Sequence, residues 1–388
     1  RLMSPRSRSS DLTPRQRFTE TLTFGRPDRV PFNPGGPMDA AFDAWQRQGF
    51  PPGRGFRDGL LEALGIDPEP ASAQPRIDLG VSFDMIPRFE EKIIESRAGH
   101  NIVQDWMGAT VEIPDQFDAA YHTSARDYVP RRWLKFPVES RADWQRLQQR
   151  YDPRSPGRFP HDFEDRCARL HDRDHVLSIG FNGPFWQLRD WLGFESLCTL
   201  TLDDPAFVRE MCDFWTDFIS QTLAPICRHV QLDCVTISED MAFKCHSMIS
   251  PEMARRFLLP AYRRWSEQLR ASGCPVIMMD CDGYVADLIP IWIDGGITCA
   301  WPIEVAAEND ILDYRRRFGR HMAYQGGMDK RAIARGGDAM RDMVTRIVPP
   351  LLDTGGFIPR CDHAVPTGVS WPNFLAYARL IAQLTGWL

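Results

Sequence analysis

The sequence predicts an α/β fold, a single (β/α)8 TIM barrel with an N-terminal capping insertion. Three observations lead there. From about residue 175, short apolar runs alternate with helix-like stretches long enough to be crossovers, which implies parallel strands. Six strands can be counted in that region, and two earlier candidates, "RVPFNPG" and the run around "LGVSFDMIP", bring the total to eight. No GxGxxG or P-loop pattern follows any strand, which weakens an open doubly wound sheet. A chain of 388 residues, 43% apolar, suits one barrel with insertions and can bury a large core.

Taken in order, the chain opens on "RLMSPRSRSSDLTPRQRF", which is basic and polar and lacks the apolar centre of a secretory signal. Residues 1–14 are expected to be a disordered tail, and 15–388 the barrel. Residues 36–175 are irregular and rich in Pro and Arg, and are expected to supply cap elements and peripheral helices. "HVLSIGFNGPF" then reads as a strand. The stretch after it has an Asp cap, Pro205 at the first helical position, and Phe207, Met211, Phe214 and Phe218 on one stripe, so it reads as a helix. "LDCVTISEDM" is a strand. "SPEMARRFLLPAYRRWSEQLRASG" is a helix opened by Ser250 and Pro251 and closed by Gly273. "CPVIMMD", "ITCAWPIE", "HMAYQGG" and "FIPRCDH" follow as strands. Between and after them come helices in "GYVADLIPIWIDGG", "ILDYRRRFG", "DAMRDMVTRIVPPLLDTGG" and "WPNFLAYARLIAQL".

Composition excludes some functions. The net charge is −6 with both signs interspersed, which argues against a nucleic-acid partner. No apolar run approaches the roughly 18 residues a membrane helix needs. The ten cysteines form no CxxC pair, so reduced thiols in a cytoplasm are expected. A homodimer is left open.

In a barrel, chemistry gathers at the C-terminal ends of the strands. The residues placed there are Asn33, Asp84, Asn182, Glu239, Asp240, Asp280, Asp282, Glu304, Gln325, Asp329, Lys330, Arg360, Asp362 and His363. So many carboxylates at one mouth repel each other unless a cation or substrate balances them. Asp280 and Asp282 flank Cys281 and precede Gly283, which lets the backbone turn sharply. With His363 at the end of the last strand they make a plausible divalent site with an open position, for zinc or for Mn or Fe. Asp280 and Asp282 equally suit a helix cap, and His363 a hydrogen-bonded wall position. Phe181, Phe185, Trp186 and Trp301 are candidate walls for an aromatic substrate, or ordinary core. Glu239, Asp240 and Glu304 are candidate acid–base or orienting groups. Asn182, Gln325, Lys330 and Arg360 are candidate substrate contacts, the two cations for a carboxylate.

Several stretches together resemble the uroporphyrinogen decarboxylase superfamily: "RFTETLTFGRPDRVPF", "GFNGPFWQL", "MDCDGYVADLIPIWIDGGIT", "YQGGMDKRAIA" and "GGFIPRCDHAVPTGVSWPNF", spanning about residues 15 to 385. The resemblance implies a TIM barrel and two functional branches, metal-free decarboxylases and zinc-holding, corrinoid-dependent methyltransferases. The decarboxylases carry an arginine-rich segment after the first strand, where this chain reads "PFNPGGPMDAAF". The methyltransferases carry His-x-Cys-Gly and a later Cys about ten residues before an Asn. These positions fall on Asp280-Cys281-Asp282-Gly283 and on His363, ten before Asn373. The resemblance therefore implies a metal site made of Asp280, Asp282 and His363, harder than its relatives, with Cys281 a bystander. Hard ligands leave a metal more electrophilic and suit an ether or amine donor. The expected activity is transfer of a methyl group from a small methylated substrate, a methoxylated aromatic first among them, to a corrinoid. No D-x-H-x-x-G signature occurs, so the corrinoid is expected on a partner protein. The alternatives are a metal-independent decarboxylase of another carboxylated substrate and a non-catalytic small-molecule-binding barrel.

Overall fold

The computed structural model describes residues 12–69, 77–116 and 130–388, so the expected tail falls almost wholly outside the described residues. Period-2 patterning and crossover helices produce two sheets. Strands β1 (Lys92–Arg97), β2 (His100–Gln104), β3 (Thr110–Pro114) and β4 (Arg132–Lys135) form an antiparallel sheet in chain order. Strands β5 (Ser178–Asn182), β6 (Cys234–Ser238), β7 (Val276–Asp280), β8 (Cys299–Trp301), β9 (Ala323–Met328) and β10 (Phe357–Cys361) form a parallel sheet, also in chain order.

Alternation splits the parallel sheet into two apolar faces. Val235, Ile237, Ile277, Met279, Tyr324 and Phe357 pack outward into the main core with the helices. Cys234, Val276, Cys299, Ala323 and Ile358 point the other way and form a separate cluster closed by Leu22, with Phe18 and Phe24 against it. Four of these five open their strands, so the helix Pro14–Leu22 seals the N-terminal end of the inner face. Thr13 caps that helix by accepting from the Gln16 N–H, while the Gln16 side chain accepts from the Thr13 N–H. The register then carries the inner face upward: Ser238 pairs with Asp280, and Asp280 with Trp301.

The parallel sheet has six strands among the described residues, not the eight expected. The two missing candidates lie at its edges without a ladder. Residues 30–36 run beside β10, where the Cys361 N–H donates to the Pro34 carbonyl (3.0 Å) and the Val365 N–H to Gly36 (2.9 Å). Pro31 and Pro34 have no N–H to return. Near the β5 edge the Phe83 ring stands 5.3 Å from that of Phe181, and Ser178 and Gly180 stay exposed.

Two helix expectations are also corrected. "GYVADLIPIWIDGG" is helical only at Ile289–Asp294. The helix opened by Ser250 divides at Leu258 into Pro251–Phe257 and Leu259–Ala271. Pro260 cannot donate to the carbonyl of Arg256, which accepts from the Arg209 guanidinium instead (2.6 Å).

Candidate active site at the strand ends

The C-terminal ends of β6, β7, β8, β9 and β10 bring acids and cations to one face. Asp282, just past β7, meets His363, just past β10, with 3.3 Å between Oδ2 and Nε2. The Asp282 carboxylate raises the His363 pKa above the ordinary histidine value, against a smaller opposing effect of burial. The Asp282 N–H donates to Asp240 Oδ1 (3.1 Å). Asp240 itself sits at φ 38°, a strained value for a non-glycine residue. That bond and one from the Arg189 guanidinium to its carbonyl (2.9 Å) hold it there. Gly283 has φ +86°, and a Cβ there would lie 2.6 Å from the Ala242 carbonyl oxygen, so only glycine allows the chain to turn after Asp282.

Asp280 ends β7 on the inner face and accepts from the Ser238 hydroxyl (3.0 Å). Burial, with Asp240 and Asp282 nearby, pushes its carboxyl up to about 7, although the Ser238 bond and the His363 charge work against this. Glu304 accepts from the Gly283 N–H (3.0 Å) and from the Lys330 ammonium (2.9 Å). Asp362 is fully buried and receives the N–H groups of Lys330 (3.1 Å) and Val305 (2.9 Å). The balancing cations that the strand-end acids demand are thus partly the chain's own, with Lys330 on Glu304 and His363 on Asp282.

The other expected site residues stand outside this hydrogen-bond network. Glu239 is fully buried and accepts from the Trp186 N–H (3.0 Å) and from the Tyr262 hydroxyl. Burial pushes its carboxyl up to about 7, with the Tyr262 bond opposing. It anchors the N-terminus of the helix Pro184–Leu192, and a Cβ at Gly183 would stand 2.2 Å from its carboxyl carbon. Phe185 is core. Asn182 and Trp186 line a separate cavity of about 700 Å³ between that helix and the antiparallel sheet. Gln325 is buried, with its amide on the Met278 sulfur (3.3 Å). Arg360 lies 4.9 Å from the centre of the Trp301 ring, on the inner face of β10. Cys281 is buried, with its thiol pushed well up by burial and accepting from the Met241 N–H (3.4 Å).

The expected metal trio is only partly assembled. Asp282 and His363 meet, but Asp280 is held by Ser238. Among the described residues no three His, Cys, Asp or Glu side chains form a group that could hold an ion. Sequence reasoning missed Ser238 and Arg189. Ser238 is readable as a polar residue at the end of its strand, though not as the partner of Asp280.

Residues 129–383, more than half of the chain, match the family described as uroporphyrinogen decarboxylase (URO-D). The chain belongs to the URO-D family. Among solved structures it is similar to a methyltransferase from Methanosarcina mazei, with a TM-score of 0.53 and 13% identity over 95% of this chain and 98% of that one. It is also similar to a B12-independent methionine synthase from Shewanella sp. W3-18-1, with a TM-score of 0.37 and 11% identity over 79% of this chain and 75% of that one. No curated protein sequence matches. This URO-D family member has no helix, among its described residues, long and apolar enough to cross a membrane.

Proposed function

We propose that this URO-D family protein is a methyltransferase. It takes a methyl group from a small methylated donor, a methoxylated aromatic in the leading case, and passes it to a corrinoid carried by a separate protein. The contact between Asp282 and His363 carries this proposal. These positions lie far apart in sequence and match two of the three ligand positions of the zinc methyltransferases that the chain resembles. The Methanosarcina protein adds a named precedent in this fold. We further propose that segments 30–36 and 79–85 complete a (β/α)8 barrel around the six strands, capped by parts of 36–175. The free cysteines among the described residues suit the cytoplasm as its compartment.

One divalent ion, zinc, at Asp280, Asp282 and His363 belongs to the proposal as a separable part. Bound there it would supply Lewis-acid polarisation of the donor atom. Asp282 and His363 suit it, whereas Asp280, engaged by Ser238, does not join them in the described geometry, and no step here depends on the ion. The chain's own groups supply proton chemistry. In the site without an ion, with its carboxyl near 7, Asp280 is protonated in a good fraction of molecules at neutral pH. It gives that proton to the departing oxygen as the methyl–oxygen bond breaks. The methyl carbon bonds to Co(I), which supplies the electron pair, and the demethylated product leaves as a hydroxyl compound. The test mixes the protein with cob(I)alamin and a panel of methoxylated benzoates, methoxylated phenols and methylamines, following methylcobalamin by absorbance. Methylation with at least one donor, lost in Asp280→Asn, is the expected result.

Arg360 favours a second reading, a metal-independent decarboxylase acting on a carboxylated substrate. Its Nε is buried without a partner. Release of carbon dioxide without methyl transfer would select this reading.

A further inference from the structure

Outside the cluster of strand-end acids lies a cavity of about 230 Å³ between residues 32–36 and the helix Phe56–Leu64, and its lining holds two arginines and no acid. Arg57 comes from that helix and Arg360 from β10. The remaining wall is mostly apolar, with Phe32, Phe56, Leu60 and Leu61. In a chain of net charge −6, where other buried arginines face a carboxylate or a carbonyl, the half-buried Arg360 is an exception, and the exposed Arg57 stands at the rim. Among the described residues neither guanidinium has a side-chain ion pair or hydrogen bond, and Arg360 Nε is buried and unsatisfied. A buried donor left unpaired costs free energy that a ligand acceptor would recover. Lys330, the other strand-end cation expected to meet substrate, is already engaged by Glu304.

We propose that this cavity is an anion subsite that takes the carboxylate of a small substrate with an apolar body, with Arg57 and Arg360 as its two contacts. A guanidinium fork matches a carboxylate's two oxygens, and phenyl and leucyl walls flank the half-buried Arg360, while Arg57 reaches the site from the exposed rim. The volume and the apolar wall select a compact aromatic or short aliphatic acid over a bare inorganic anion. Arg360 stands in both places, lining the cavity and lying over Trp301 on the inner face that also carries Asp280. A ligand held there is thus tethered beside the strand-end groups. This inference rests on the methyltransferase proposal only for the methyl group that the substrate bears; the carboxylate site stands on the cavity itself.

The test is titration calorimetry on the full chain without corrinoid at low ionic strength. The probes are 4-methoxybenzoate, benzoate, hexanoate, 4-methoxybenzamide and inorganic phosphate. The expected result is that at least one carboxylate binds about ten-fold or more tighter than 4-methoxybenzamide and phosphate, with affinity falling as salt rises. Arg57→Gln, an exposed position that folding does not need, weakens the carboxylate about ten-fold and leaves the amide unchanged. Arg360→Lys weakens it less than Arg360→Gln does. The proposal is overturned if no carboxylate binds, if the amide or phosphate binds as tightly, or if Arg57→Gln binds the acid like the parent. Methyl transfer is read separately: transfer from a neutral donor without carboxylate binding removes the subsite and keeps the methyltransferase. Carboxylate binding without any transfer does the reverse.

Discussion

His363 and Asp282 define the site at the scale of single residues, and their coupling makes a direct prediction. Because Asp282 raises the His363 pKa, the pair's stabilising contribution is full below the usual histidine value of about 6.5 and fades as pH rises through the folded value. Both side chains are partly exposed, so the contribution is at most about 1 kcal/mol. In chelator-treated protein, proton NMR of His363 should show titration above the ordinary range, and Asp282→Asn should bring it down. An unchanged midpoint in the variant would mean that the pair does not exist in solution. Cys281→Ser should leave folding and activity nearly as they are, since the buried thiol makes only two weak bonds, from the Met241 N–H and to the Asp282 carbonyl, both of which a hydroxyl can make. Asp280 was legible as an inner-face strand end because alternation along β7 fixes its side, whereas Cys281 and Asp282 lie past the strand. That Ser238 would hold Asp280 was not legible, because the pairing depends on the register between β6 and β7.

Elements carry the next level of explanation. Glu239 was expected among the acids of the mouth, yet it joins β6 to the N-terminus of the helix Pro184–Leu192. Removing it strands the Tyr262 hydroxyl and a helix N–H in the core. Glu239→Ala should therefore cost about 3 kcal/mol in urea unfolding, with Glu239→Gln costing clearly less. Equal costs would deny the clamp. The antiparallel sheet escaped the sequence reading because β1 and β4 are exposed throughout and the strands are short, leaving burial alternation only on β3. Its turn after β2 is fixed by Asp105, whose Oδ1 accepts from the Met107 (3.0 Å) and Ala109 (2.9 Å) N–H groups while its buried Oδ2 has no partner. Burial pushes that carboxyl up to about 6. An unfolded Asp loses its proton near pH 4, so between roughly pH 4 and 6 the folded chain holds a proton that the unfolded chain has released. Stability from this group then falls across that window as pH rises, by about 2 kcal/mol, and stays low above it. Urea unfolding at pH 4 and at pH 7.5 should show Asp105→Asn gaining on the parent at the higher pH. A constant difference between the two proteins would contradict the assignment.

At the scale of the whole molecule, the repeated strand–helix order was legible because short apolar runs such as β6 and β7 alternate with helices that open on cap and proline signals, Asp204–Pro205 and Ser250–Pro251 among them. What the sequence did not disclose is how the first and second candidate strands meet the sheet, since Pro31 and Pro34 remove the donors a ladder needs. The inner face is closed below by Leu22, so Leu22→Ala should cost about 2–5 kcal/mol, a core-cavity penalty, although the residue is far from the strand-end site. Above that floor the inner face rises to Asp280, Trp301 and Arg360, and the proposed chemistry takes place there. The most direct measurement is a single turnover with cob(I)alamin and 4-methoxybenzoate labelled with carbon-13 in its methyl group. A methyltransferase delivers the label to cobalt, seen as labelled methylcobalamin by mass spectrometry, with one equivalent of 4-hydroxybenzoate. Label that stays on the ring ether while carbon dioxide is released would contradict methyl transfer and assign the protein to decarboxylation.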